Sequence, residues 1–256
     1  MRKILRKFYE YSAFPAFLIG LWQLLLAGST NPFFVTPLKI ISSSKLIFTR
    51  EWLHLYLLPT VLTFIVGLTL GWALGILLGS LFAINENVKE VFLPIINFIR
   101  NIPNVAKAPL FIAIIGIGYA TRITTVTLAV LFPVLITTMR ALGQTDRHLT
   151  EYSDLLGYGR IRRLLLIELP AASGEIFTGL QASIQVGIIV TLVSEMLGAG
   201  RGLGAFMIRS QSTFMITNLW LCLVVIGLSG LFLNQIFLYL EKKIIPWYFK
   251  SRARDE

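Results

Sequence analysis

The stretch Glu151-Tyr-Ser-Asp-Leu-Leu-Gly-Tyr-Gly-Arg-Ile-Arg-Arg-Leu-Leu-Leu-Ile-Glu-Leu-Pro170 is a polar island between two long apolar runs. What surrounds it decides the fold class. With 55% hydrophobic and only 14% charged residues, and a mean hydropathy of +0.75, the 256-residue chain is far more apolar than a soluble domain requires. Much of its surface must face lipid, where only helices or closed barrels satisfy every backbone polar group. Long unbroken apolar runs, rather than alternating segments of about ten residues, select helices. The expectation is an all-α, polytopic membrane protein.

Working outward from the island, six spans are expected, near Phe14–Ala27, Tyr56–Ile84, Val91–Tyr119, Ile123–Met139, Ile176–Leu197 and Ile216–Leu240, judged against the ~20 residues a crossing needs. The second run, at ~1.5 Å per residue, is about 43 Å long and exceeds a ~30 Å hydrocarbon core, so it must tilt or protrude. The third contains Pro103 and Pro109, which remove backbone donors and favour a kink. The organisation expected is a basic N-terminus over 1–13, a six-helix domain over 14–240 with a polar loop at 141–173, and a C-terminal tail over 241–256.

Basic residues set the orientation. With the N-terminus inside, one side collects Arg2, Lys3, Arg6, Lys7, Lys89, Arg140, Arg147, Arg160, Arg162, Arg163, Lys242, Lys243, Lys250, Arg252 and Arg254, against Lys39, Lys45, Arg50, Arg122, Arg201 and Arg209 on the other. Both termini and the polar loop are therefore expected in the cytoplasm. The net charge of +10 is accounted for by those loops, and no folded basic domain for nucleic acid is indicated. The first apolar run is read as a retained anchor, because Leu25-Leu26-Ala27 is a poor small-x-small cleavage site. The single Cys222 lies inside the sixth span and is read as a packing residue. No metal-ligating cluster is expected.

Within the island, Asp146 can cap a short helix to Leu156, with Leu149, Leu155 and Leu156 as its apolar positions. Gly157 and Gly159 punctuate the chain. A second short helix from Arg160 to Leu169 places Ile161, Leu164, Leu165 and Leu169 at helical spacing. Pro170 is expected to stop it and Ser173 to cap the fifth span. An amphipathic hairpin on the membrane surface would explain the apolar and basic residues, but not an acid, a glycine six residues on and an Ile-x-Leu-Pro ending.

At these residues the chain resembles the permease subunits of bacterial, binding-protein-dependent ATP-binding-cassette importers. Their cytoplasmic signature is Glu-Ala-Ala, three residues, Gly, nine residues, Ile-x-Leu-Pro; Glu151, Gly157, Ile167, Leu169 and Pro170 fall in register, with Tyr152 and Ser153 in place of the alanines. The resemblance runs from about Trp22 to Leu240. It is greatest to the nitrate, sulfonate and taurine branch, which also handles bicarbonate and thiamine-precursor pyrimidines, through Arg100-Asn-Ile-Pro103, Ala108-Pro-Leu110, Gly116-Ile-Gly118, Phe177-Thr-Gly-Leu180 and Glu195-Met-Leu-Gly-Ala199.

The resemblance implies the type I importer permease fold in the bacterial inner membrane. It implies a second permease copy (a homodimer), cytoplasmic ATPase subunits carrying ATP and Mg, and an external solute-binding protein. The loop would form coupling helices seated in each ATPase, with Gly157 making the turn, Glu151 making a polar contact and Arg160 adding electrostatic complementarity. No catalytic residue and no cofactor are expected in the chain itself. It contains no Gly-Lys pair, so the phosphate loop of an ATPase is missing.

Arg100 and Lys107 would share one face if the third span were continuous, and charges at mid-membrane usually face a cavity or partner. Both are expected on the translocation path, with Lys107 favouring an anionic or polar solute. A ridge of Gly67, Gly71, Gly75 and Gly79 is matched by Gly179, Ser183, Gly187 and Thr191 at the same spacing, which predicts close packing of the second and fifth spans, within one subunit or across a dimer. The run Gly198-Ala-Gly-Arg-Gly-Leu-Gly204 opens no βαβ unit and is read as a flexible or re-entrant outer loop. With the interfacial-looking segment Phe33 to Arg50, it is expected to receive the solute-binding protein.

Two rival classes are weighed. Gly227-Leu-Ser229-Gly resembles the motif of rhomboid proteases, but His54 and His148 sit near the membrane edges on opposite sides and cannot serve that serine as base. An ion-coupled secondary carrier is the stronger alternative, yet it needs acidic relays at mid-membrane, and the acids here cluster at ends and loops.

Overall fold

A computed structural model of the chain describes residues 2–198 and 200–255. Met1, Glu256 and Ala199, the last residue of the Glu195 to Ala199 run, lie outside the described residues. The described residues form helices and turns with no strand among them. In chain order the helices are α1 (Arg2–Leu26), α2 (Pro37–Ser43), α3 (Arg50–Ile84), α4 (Glu86–Asn101), α5 (Asn104–Ile115), α6 (Tyr119–Gly143), α7 (Arg147–Leu155), α8 (Arg160–Met196), α9 (Leu203–Ser212), α10 (Ile216–Ile244) and α11 (Pro246–Asp255).

Among the described residues, α3, α6, α8 and α10 are each long and apolar enough to cross a membrane. The expectation of six regular spans is thereby reduced. The first apolar run is a shorter stretch, Ala13–Leu26, at the end of α1. The third is a pair of helices, α4 and α5, bent by 94°. The break falls at Ile102-Pro103, where Ile102 is extended, the conformation that a following proline favours. Pro109 is carried inside α5.

The core is the seam between α3 and α6, which run parallel and in unbroken register. Gly67 faces Val126, Gly71 faces Val130, Gly75 faces Val134 and Gly79 faces Thr138. A Cβ at Gly71 would stand 2.6 Å from the Val130 side chain and 2.9 Å from the Thr127 carbonyl oxygen. Where lipid is the alternative environment, exclusion from water does not drive helix association, so close dispersion contact must carry it. Glycine opposite a stiff β-branched side chain supplies that contact. The glycine ridge of the second span is therefore filled by the fourth span rather than by the fifth.

The small residues of α8 meet both partners while running antiparallel to them. Gly179 lies against Thr137, Gly187 lies against Phe64 and Val130, and Trp72 Nε1 donates to Ser183 Oγ at 2.8 Å. Thr191 donates to its own helix, at the Gly187 carbonyl.

Two prolines that would ordinarily end a helix are absorbed inside continuous ones. Leu53–Leu57 and Leu164–Glu168 are π turns immediately before the Leu-Pro pairs at Pro59 and Pro170, with Leu58 N–H donating to the Leu53 carbonyl and Leu169 N–H to the Leu164 carbonyl. A wide turn relieves the clash between a proline ring and the carbonyl four residues earlier. Pro170 is therefore not a stop. Ser173, read as a cap, instead donates to the Pro170 carbonyl at 2.8 Å, and α8 is a single helix from the loop onward.

The periphery is apolar and open. Leu228, Leu231 and Phe232 on α10 and Phe14, Leu24 and Leu25 on α1 are exposed, as lipid-facing side chains should be. Past Ile244 the chain turns back, and α11 seats its start on α8: Trp247 Nε1 donates to the Pro170 carbonyl at 3.3 Å and the Tyr248 ring covers Gly174.

Candidate functional site

At the loop end, Asp146 Oδ1 accepts from the His148 N–H at 2.9 Å and α7 follows. The chain reverses through Gly157, whose φ of +68° is a conformation that side-chain-bearing residues resist. Tyr158 N–H donates to the Ser153 carbonyl at 3.1 Å, which ties the turn back to α7. Then α8 begins at Arg160. Glu151 is exposed, with His148 Nδ1 at 3.8 Å from its carboxylate. Arg160 is exposed, while Ile167, Leu169 and Pro170 are half-buried. Arg162 lies over the Tyr158 ring, 4.5 Å from its centroid, and Arg163 pairs with Glu168 at 2.9 Å. Alongside Glu151 and Arg160, this end also leaves apolar side chains open: Leu155 is 83% exposed, and Leu156, Ile161 and Tyr152 are exposed.

In the middle, the 94° bend separates the two expected path residues. Arg100 is exposed on α4, in a groove with the end of α6. Lys107 is buried on α5, its Nζ donating to Asn104 Oδ1 at 3.1 Å and standing 5.2 Å from the Phe132 ring centroid. They do not share a face.

The far end of α8 holds a polar cluster built around Glu195, which is fully buried. Its Oε2 accepts from Thr60 Oγ1 at 2.9 Å and from the Gly204 N–H at 3.0 Å. Thr60 Oγ1 in turn accepts from the Leu203 N–H at 2.8 Å. Gly202 N–H donates to the Leu55 carbonyl at 3.1 Å, an acceptor whose usual α-helical donor is missing because residue 59 is proline. Gly202 has φ +101°, and a Cβ there would stand 2.2 Å from the Glu195 carboxyl carbon. From the other side Arg122, 3% exposed, donates to the carbonyls of Gly198 at 2.8 Å and Arg201 at 3.1 Å. A cation beside the carbonyls at a helix C-terminus is also favourably placed in the helix dipole.

The glycine-rich run, expected to be a flexible or re-entrant outer loop, is pinned by these contacts. Its backbone donors and acceptors are taken by a buried acid, a threonine and an arginine from three different helices. Sequence reasoning treated Glu195 as one letter of a family resemblance and Arg122 as an outer charge. The available signal was an acid closing an apolar span with four glycines at alternate positions just beyond it, Gly198, Gly200, Gly202 and Gly204.

Residues 71–247 match the model of a family described as "Binding-protein-dependent transport system inner membrane component". The putative aliphatic sulfonates transport permease protein of Bacillus subtilis is 26% identical over 91% of this chain and 85% of its own length. The formylaminopyrimidine transport permease protein of Halalkalibacterium halodurans is 27% identical over 94% of this chain and 97% of its own. The taurine transport system permease protein of Escherichia coli is 27% identical over 89% and 85%.

Proposed function

We propose that this chain, which belongs to the family of binding-protein-dependent transport system inner membrane components, moves its solute by passing motion along α8 from an ATPase-docking loop to the Glu195 cluster. It is the permease subunit of an ATP-binding-cassette importer, a transport protein and not an enzyme, and ATP hydrolysis belongs to a separate component of such systems.

The carrying observation is the continuity of α8. Its 37 residues, at ~1.5 Å each, span about 55 Å, so a displacement imposed at Arg160 is delivered to Glu195 without an intervening hinge loop. On this reading α7 and the first turn of α8 are the coupling helices. Leu155, Leu156 and Ile161 are the apolar anchors, Gly157 is the turn, Glu151 and Arg160 are the polar rim, and Ile167, Leu169 and Pro170 join the loop to the span. Alternating access then amounts to rocking α8 against the α3–α6 seam.

Six crossings are proposed, with α1 as anchor and the bent α4–α5 pair crossing once. The parallel run of α3 and α6 and the antiparallel run of α8 support this, since spans that alternate across a bilayer with one crossing between α3 and α6 must have those directions. Both termini and the loop are placed in the cytoplasm. A second copy completes the pathway, and an external binding protein delivers the solute.

The solute class follows from Lys107 and from relatives named for aliphatic sulfonates, taurine and nitrate. We assign a small anionic or polar solute. A buried ammonium that, among the described residues, has a side-chain amide and an aromatic face beside it retains capacity to bind an anion. Lys107→Met is expected to reduce uptake in the assembled importer at least tenfold while leaving ATPase association intact; unchanged uptake and selectivity would remove Lys107 from the path. The coupling assignment is checked by purifying a tagged chain with its ATPase. Leu155→Ser/Leu156→Ser should lose the ATPase, and retention of it at the wild-type ratio would refute the assignment.

A further inference from the structure

The groove that contains Arg100 has a chemistry of its own. Lys89, Asn97 and Arg100 lie along one face of α4, and Arg140 and Gln144 at the end of α6 form the opposite wall, enclosing about 450 Å³. Three cations and two amides therefore converge on one cleft. Among the described residues, none of the three cations makes an ion pair and no acidic side chain lines the cleft. Like charges held together on two packed helices without an internal counter-ion raise the local positive potential and draw an anion. Two guanidinium forks and an ammonium suit the oxygens of a phosphate-type group.

The placement of α4 indicates where the anion comes from. α4 is the most amphipathic of the long helices and is bent away from α5 by 94°, so it crosses the end of the bundle instead of continuing along it. One of its faces packs on the bundle through Ile96 and through the stacked rings of Phe82 and Phe92, 5.4 Å apart. On the side opposite the basic face, Val91, Ile95 and Phe98 form an exposed apolar stripe at helical spacing. A helix that lies across the bundle with an open apolar stripe and a basic face sits at the level of lipid headgroups.

We propose that the Lys89–Arg100–Arg140 groove binds a phosphate-class oxyanion, supplied by the headgroup of an acidic phospholipid. Which leaflet supplies it rests on the sidedness proposed above; the site itself does not.

The test measures lipid retention by native mass spectrometry on the purified full-length chain in detergent, without ATPase or ATP, so that its failure is separable from a failure of the transport assignment. Phosphatidylglycerol and phosphatidylcholine are added in parallel. The variant Lys89→Gln/Arg100→Gln/Arg140→Gln should bind phosphatidylglycerol at least tenfold more weakly with phosphatidylcholine unaffected. The charge-matched control Lys242→Gln/Lys243→Gln/Lys250→Gln should bind as wild type. Arg100→Lys, which keeps the charge and loses the fork, should fall between, and guards against a triple variant that fails to fold. Inorganic phosphate and methanesulfonate form the second arm: groove-dependent competition by either at millimolar concentration would keep the site and make a free anion its occupant. Equal retention by the groove variant and wild type, or equal loss in both triple variants, would overturn the proposal.

Discussion

The two ends of α8 are built to opposite rules. At its start, Leu155, Leu156 and Ile161 are exposed around a left-handed glycine. At its end, Glu195 is fully buried and binds Thr60 and Gly204, while Arg122 holds the carbonyls of Gly198 and Arg201. The first end spends its apolar surface on a surface open to others, and the second closes on its own chain. One helix thus connects a place where a partner can push to a place where the fold resists being opened. Stability and function should separate along it.

The largest expected effect comes from breaking the closed end sterically. At Gly204 a Cβ would stand 2.2 Å from the Leu192 carbonyl oxygen, which is backbone and cannot swing away. Gly204→Val should destabilise the folded chain by about 3 kcal/mol, the upper part of the range for overpacking, measured by denaturant unfolding in detergent micelles. A wild-type unfolding midpoint would mean that this end is not closed as described. Removing the acid should cost less. Glu195→Ala leaves the buried Gly204 N–H without its acceptor, at about 2 kcal/mol by the usual cost of a buried unsatisfied group, while Thr60 Oγ1 keeps the Tyr56 carbonyl at 3.0 Å. It should make the 200–204 segment exchange amide hydrogens faster. Unchanged exchange there would show that the loop is held by other contacts.

The smallest effect belongs to the open end. Leu155→Ser/Leu156→Ser should shift stability by less than about 0.5 kcal/mol, as surface substitutions do, although it abolishes ATPase binding. If the same variant unfolds as readily as Glu195→Ala, the contrast between the ends fails.

Much of the architecture was legible in the chain. Apolar runs locate the long helices, and the spacing Glu151, Gly157, Ile167, Leu169, Pro170 points to the importer permeases without any tertiary contact. Single-residue punctuation was less legible. Pro170 reads as a helix stop and becomes an interior residue, because a π turn before it relieves the ring. A proline's local cost is visible in sequence, but the widened turn that removes it is not. The pairing of the glycine ridge was likewise hidden. Gly67 to Gly79 announces that some helix approaches closely, yet nothing in a spacing of four says which one.

What the sequence by itself determined was set by energies that act locally: the membrane environment from composition and the likeness to importer permeases from the spacing of a few residues, while the distribution of Lys and Arg supplied an expected sidedness. Only the tertiary structure decided that Val126, Val130, Val134 and Thr138 fill the glycine ridge, that Arg100 and Lys107 part company at a 94° bend, and that Glu195, Thr60 and Gly204 meet. Each of these brings together groups far apart in the chain or turns on a backbone angle between them. Their free energy exists only once the helices have packed.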